Sequence, residues 1–181
     1  GARTLPAAPV TVGGVDLPYP LILSAGLVKG DGFNDEGAAL AAVDAGRNII
    51  PGWRTMPLIA GPVEFGSYTR YPRMGNPGTV MWRRPNTRST QNRVGLKNPG
   101  AAAAARFLAK HAADLPPVYG INIAVSPGVD EPSREREEIT AALAYFQKAG
   151  LRPNWVTLNL SCPNTEDDPA GNQTEAKARD L

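Results

Sequence analysis

Four apolar runs of six to eight residues recur along the chain, and each is followed by a stretch with helical signals. Leu21-Ile22-Leu23-Ser24-Ala25-Gly26 reads as a buried strand meeting a loop, and Phe33 to Ala45 as a helix carrying Leu40 and Val43, stopped by Gly46. Pro62 to Thr69 is the second strand, and Pro99 opens a helix running to Ala113 with Phe107 and Leu108 on one face. Val118 to Val125 is the third strand. Ser133 caps the next helix, whose stripe is Ile139, Leu143 and Phe146 and whose end is Gly150. Trp155 to Ser161 is the fourth strand, and Thr174 starts a fourth helix. Alternating strands and helices, with strands that are apolar throughout, imply a parallel sheet covered on its faces. An open doubly wound sheet and a (β/α)8 barrel both satisfy this. No G-x-G-x-x-G follows the first strand, which weakens the dinucleotide-binding version of the open sheet. A whole barrel needs roughly 250 residues. On the residues alone two α/β architectures stay open: a doubly wound sheet, or a TIM barrel of which residues 1–181 supply about the first four βα units.

Two segments stand outside this pattern. Residues 47–61, with Pro51, Gly52, Trp53 and Pro57, read as an irregular inserted loop, in which Trp53 packs across the sheet or lines a partner interface. Residues 70–98 read as a long loop rich in Pro, Gly and Arg. The chain holds 19 Gly and 18 Pro among 181 residues, a density that fits many short elements joined by tight connections. Its start at Gly1 and its unstopped final helix (Thr174 to Leu181) lead to the expectation that a C-terminal portion follows.

Lys and Arg number 19 against 17 Asp and Glu, an excess too small to point to nucleic acid. No apolar run reaches the roughly 18 residues of a membrane span, and the first residues lack a secretory signal. One cysteine, Cys162, and one histidine, His111, rule out a disulfide framework and a Cys- or His-rich metal site. A cytoplasmic protein is expected, with peripheral association at a membrane left open.

Polar residues interrupt the strands in a pattern. Gly120, Asn122 and Ala124 share one face of the third strand, and Thr157, Asn159 and Ser161 share one face of the fourth. A buried amide without a partner is costly. Two such amides, expected at equivalent positions near the C-terminal ends of neighbouring strands, point to a ligand with several donors and acceptors, whereas a single one would as readily pin a loop. Directly after the fourth strand comes Asn159-Leu160-Ser161-Cys162-Pro163-Asn164-Thr165. It puts a thiol between two amides; a thiolate can act as a base, although a structural cysteine is the commoner role for an isolated one.

Asn159 to Asn164 resembles the catalytic-loop motif of the dihydroorotate dehydrogenases, FMN-dependent (β/α)8 barrels, and further stretches resemble that family in the same order. Ser24-Ala25-Gly26-Leu27-Val28-Lys29 is similar to its first flavin loop. Val63 to Thr69, with Pro72 and Gly75-Asn76-Pro77, is similar to its second strand and following loop. Asn92 to Gly100 resembles its substrate loop, and Gly120-Ile121-Asn122-Ile123 its third strand. The resemblance implies that Ala25, Gly26 and Lys29 lie along the isoalloxazine, with Lys29 also reaching the substrate carboxylate, and that Ser67 is a flavin contact. It implies a pyrimidine-holding wall of Asn92, Arg93, Val94, Gly95 and Leu96, with Asn122 and Asn159 touching flavin and substrate and Asn164 on the substrate's far side. Cys162 would be the general base, taking the C5 proton of dihydroorotate while the C6 hydride passes to flavin N5. Asn carries both a C=O and an N–H donor, which suits a pyrimidine edge. The implied partners are dihydroorotate and orotate, the other half of the barrel and, in one reading, a second copy in a homodimer. The resemblance also implies that residues 1–181 are the N-terminal part of a single FMN-binding TIM-barrel domain, with at least a hundred residues to follow.

The likeness is mixed. A cysteine base matches the cytosolic class, whereas Ala25-Gly26-Leu27-x-Lys29 and the second-strand region look like the quinone-using class. Val28 stands where that class usually carries an acid, and Ala124-Val125-Ser126 replaces its Gly-Lys-Asn. Two rivals remain: a flavin barrel acting on another pyrimidine, as in dihydropyrimidine dehydrogenase, and a non-catalytic protein that kept the fold. Asn164-Thr165 favours the first reading over the pyrimidine rival. His111 reads as a solvated helix residue, Arg83, Arg84, Arg88 and Arg93 as a solvated basic loop, and Asp167-Asp168 as an exposed acidic pair. The glycosylation-like Asn159-Leu160-Ser161 and Asn172-Gln173-Thr174 are set aside.

Overall fold

A computed structural model of the chain describes residues 8–129, 131–160, 162, 164, 165 and 174–180. Its central feature is a three-stranded parallel sheet. The strands are β3 (Val63–Tyr68), β6 (Tyr119–Ala124) and β7 (Trp155–Asn159), laid side by side in chain order. Glu64 pairs with Gly120, Asn122 with Thr157, and Ala124 with Asn159. Leu23 adds a single parallel bridge to Val63 on the free side of β3, through Leu23 N to the Pro62 carbonyl (2.9 Å) and Glu64 N to the Leu23 carbonyl (2.9 Å). The expected first strand is thus one bridge long. Leu21 and Ile22 just before it are exposed, so they gain no burial from extending the ladder. Spatial order that follows chain order is what a barrel requires; the doubly wound Rossmann order reverses direction at its centre.

Helices cover one face of this sheet. Helix α1 (Glu36–Asp44) starts at Asp35, whose Oδ1 accepts the Ala38 N–H at 2.7 Å. Helix α3 (Ala101–Lys110) buries five consecutive alanines with Phe107 and Leu108; small side chains let it lie close on its neighbours. Helix α4 (Pro132–Lys148) buries Ile139, Ala142 and Phe146. Its cap is Glu131, which accepts from the N–H groups of Ser133 (3.2 Å) and Arg134 (3.1 Å), not Ser133 as the sequence suggested. A longer carboxylate one residue before Pro132 reaches two free N–H groups at once. The core lies between these helices and the outward side chains Val63, Phe65, Ile121 and Ile123. Phe65 meets Tyr119 edge-on at 5.8 Å, and Tyr68 meets Phe146 at 5.6 Å.

The expected irregular segments are more ordered than their composition suggested. Residues 47–61 contain α2 (Met56–Ala60) and place Ile49 and Ile50 fully in the core. Trp53 packs on Phe107 and His111 of the α3 region, with ring centroids at 5.9 and 4.5 Å, so His111 is half-buried and stacked rather than solvated. Residues 70–98 contain an exposed hairpin, β4 (Met81–Arg84) with β5 (Ser89–Asn92). A second hairpin precedes everything else: β1 (Val10–Val12) and β2 (Val15–Leu17), turned by Gly13 and Gly14 at φ 57° and 80°. The last described helix, α5 (Glu175–Asp180), is joined to α4 by the Lys177–Glu135 ion pair.

Candidate active site

The face of the sheet turned away from the helices is polar. It carries Glu64 and Ser67 from β3, Asn122 from β6, and Thr157 and Asn159 from β7, and these line a cleft of about 670 Å3 with Ser24 and Ala25. Alternation produces this for Glu64, Asn122, Thr157 and Asn159, because Phe65, Ile121 and Ile123 point to the helices, and a register shift between Phe65 and Tyr68 turns Ser67 inward as well. Gly120 has a role here, because a Cβ there would fall inside the Trp155 indole, which lies across the strand.

Glu64, only 8% exposed, collects four donors. Oε2 accepts from the Ala25 N–H at 3.2 Å and from Asn122 Nδ2 at 3.1 Å. Oε1 accepts from Trp155 Nε1 at 3.1 Å and from the Thr157 hydroxyl. Asn122 Oδ1, by contrast, is buried and has no hydrogen-bond partner. Asn159 Nδ2 donates to Ser67 Oγ at 3.0 Å. Asn122 and Asn159 are not at matching strand positions; the register sets Asn122 opposite Thr157, so Asn159 lies one inward step nearer the C-terminal ends.

Loops close the cleft at those ends. The 24–29 loop is sewn to β3 by Gly26 N to the Gly66 carbonyl (2.6 Å) and Gly66 N to the Val28 carbonyl (3.1 Å). Gly26 adopts φ 119°, a conformation open to glycine. Lys29 is half-buried. Burial pulls its pKa below the usual lysine value, the electrostatic interaction with Cys162 opposes that shift, and the Lys97 cation adds to it. Lys29, Cys162 and Lys97 therefore share one electrostatic neighbourhood. Cys162 is itself half-buried, and its carbonyl accepts from Thr165 Oγ1 at 3.2 Å.

The 92–98 loop faces the Cys162 loop. Asn164 Nδ2 donates to Asn92 Oδ1 at 3.0 Å, and Asn76 Nδ2 donates to the carbonyls of Asn164 (3.0 Å) and Arg93 (2.8 Å). Gly95 packs against the Asn76 side chain, Leu96 takes φ 54°, and the Val94 carbonyl accepts from Asn76 N. The Arg93 guanidinium is occupied by the Thr79 and Pro77 carbonyls, both at 3.2 Å, and so braces the hairpin. Beneath the loop, Asn98 is wholly buried. It accepts from Thr69 N and Gly100 N and donates to Thr69 Oγ1 and the Leu96 carbonyl.

The structure thus brings Ala25, Ser67, Asn122 and Asn159 to one cleft and Asn92 and Asn164 into one contact, with Lys29 in the electrostatic neighbourhood of Cys162. Ser161, Pro163, Asp167, Asp168 and residues 172 and 173 lie outside the described residues. Sequence reasoning assigned no role to Glu64, Trp155, Asn76 or Asn98. For Glu64 the signal was a carboxylate inside an apolar strand, a residue type rarely buried unless paired. Among the described residues no group of His, Cys, Asp and Glu could hold a metal ion, and no helix is long and apolar enough to cross a membrane.

Comparison with known proteins adds a family. The family model described as dihydroorotate dehydrogenase matches residues 7–181. Two curated relatives, both named dihydroorotate dehydrogenase (quinone), come from Mycobacterium bovis and Mycobacterium leprae. They are 32% and 34% identical over 162 residues, which is 90% of this chain and 39% of each relative. The chain therefore spans about two fifths of their length. Among solved structures, DHODH from Eimeria tenella in complex with ferulenol aligns with a TM-score of 0.69 at 24% identity, covering 98% of this chain and 42% of that one. The ligand-free form from the same organism gives 0.62 at 20% identity, covering 98% and 46%. At such identities the likeness is one of fold.

Proposed function

The chain belongs to the dihydroorotate dehydrogenase family of oxidoreductases, and on that premise we propose that it is the N-terminal part of an FMN-dependent enzyme oxidising dihydroorotate to orotate, with Cys162 as general base. The observation that supports this most is the Asn164–Asn92 hydrogen bond, which sets the Cys162 loop against the 92–98 loop, with Lys29 in the same electrostatic neighbourhood. A cation, a base and two amides suit an anionic pyrimidine that must lose a proton.

FMN fits the residues present. The cleft is walled by Ala25 and Ser67 and floored by Asn122 and Asn159, and the buried, unpartnered Asn122 Oδ1 is an acceptor suited to a ligand N–H. When bound, FMN supplies the hydride acceptor of the reaction. The chain's own groups do the rest. The Lys29 ammonium holds the substrate carboxylate. The amides of Asn92 and Asn164, already fixed on each other, meet the pyrimidine edge. The Cys162 thiolate takes the C5 proton at Sγ, and the loops of residues 24–29 and 92–98 exclude water from the ring.

Among the described residues β7 is an edge strand with Val156 and Leu158 exposed on its helix-facing side, which supports a barrel continued by further βα units. The relatives' names make a quinone the proposed electron acceptor. The complete protein should be yellow, and anaerobic dihydroorotate, but not dihydrouracil, should bleach it. A colourless protein would overturn the proposal, and bleaching by dihydrouracil alone would move it to the other pyrimidine class.

A further inference from the structure

We propose that Glu64 is a positioning residue that holds the Asn122 amide with its oxygen toward the cleft, so that the site recognises a planar ring through a ring N–H; this rests on the FMN reading above. A carboxylate only accepts hydrogen bonds, and an Asn amide has one donating and one accepting end. With Glu64 Oε2 at 3.1 Å from Asn122 Nδ2, the amide has one sensible orientation, its NH2 toward Glu64. Its oxygen is left buried and without a partner, on a residue that lines the cleft. A buried acceptor left unpaired is costly, and a ligand N–H removes that cost. Oxidised isoalloxazine carries a single ring N–H, at N3.

Glu64 is itself held against rotation. Trp155 Nε1 and the Thr157 hydroxyl occupy Oε1, and the Ala25 N–H shares Oε2. Trp155 reaches it only because Gly120 leaves room for the indole. One carboxylate therefore ties the 24–26 loop, β6 and β7 together and sets the polarity of the amide facing the ligand.

The test uses the complete holoenzyme, stripped of flavin and titrated with FMN and with N3-methyl-FMN. Wild type should prefer FMN by about tenfold or more, the value of one good hydrogen bond. Glu64→Gln should bind FMN about tenfold more weakly and lose most of that preference, since a glutamine cannot dictate the orientation of its neighbour. Glu64→Gln combined with Asn122→Asp should regain the preference, because the new amide at position 64 can donate to one oxygen of the new carboxylate and leave the other facing the cleft. If Glu64→Gln does not fold, the double variant decides. A wild type that binds both flavins equally, a Glu64→Gln variant that keeps the full preference, or a double variant without it would overturn the proposal. Failure of the wild type to bind any flavin would instead overturn the FMN reading itself.

Discussion

Cys162 is a half-buried thiol in the electrostatic neighbourhood of Lys29. If it is the base, Cys162→Ala in the complete protein should keep flavin bound and slow flavin reduction by dihydroorotate by about 10²–10⁴-fold. Stopped-flow absorbance reads this directly, and wild-type rates would remove Cys162 from the mechanism. Lys29 gives a second test with a definite sign. Burial lowers its folded-state pKa, so between that value and the unfolded one the unfolded chain binds more protons, and folding stability rises as pH rises through the window. Substrate binding runs the other way, because the ammonium that holds a carboxylate is lost as pH rises through the lowered pKa. Orotate affinity should therefore fall at alkaline pH, and Lys29→Met should weaken it at neutral pH and flatten the profile. The lone cysteine between two amides was legible because its motif is local. Glu64 was not, since a carboxylate in a strand shows its importance only when Ala25, Asn122, Trp155 and Thr157 are seen to converge on it from four segments.

At the scale of elements, the 92–98 loop depends on Asn98, which joins the end of β3 to the start of α3 through Thr69 and Gly100. Asn98→Ala would strand two buried N–H groups and should destabilise the complete protein by about 2–4 kcal/mol. It should also weaken orotate binding through loss of loop order. Urea titration with parallel orotate titration checks both, and an unchanged midpoint would show that the loop is held by other contacts. The elements read correctly from sequence are α5, which its starting residues marked, and α1, α3, α4, β3, β6 and β7, whose burial leaves a pattern. The missed ones leave little pattern. The four residues of β4 and the four of β5 are all exposed, so no alternation marks them. Helix α2 is five residues long, too short for helical periodicity to show. The β1–β2 turn did carry a signal, Gly13-Gly14 between valine-rich runs, which is the recognised mark of a tight hairpin.

For the molecule as a whole, β3, β6 and β7 follow one another in space as in sequence, with Leu23 bridged to the outer side of β3. This is an arc of a barrel, and its outermost strand, β7, carries exposed Val156 and Leu158 on the side where a barrel has helices. The parallel α/β class was legible from strand–helix alternation, and the choice of a barrel over an open sheet came from the missing G-x-G-x-x-G and the family resemblance. The shortness of the first strand was not, because an apolar run alone does not reveal how much of it finds a pairing partner. In barrels of this type a cofactor phosphate is commonly held after strands seven and eight. Residues 1–181 alone should therefore keep the ring-facing groups and bind FMN poorly. The most direct test expresses residues 1–181 and the complementary barrel half separately, then follows flavin absorbance anaerobically with dihydroorotate for each half and for the mixture. The expected result is bleaching by the mixture alone, abolished by Cys162→Ala. A monomeric 181-residue chain that binds flavin tightly and is bleached on its own, or a flavin-loaded mixture that dihydroorotate leaves yellow, would contradict this account.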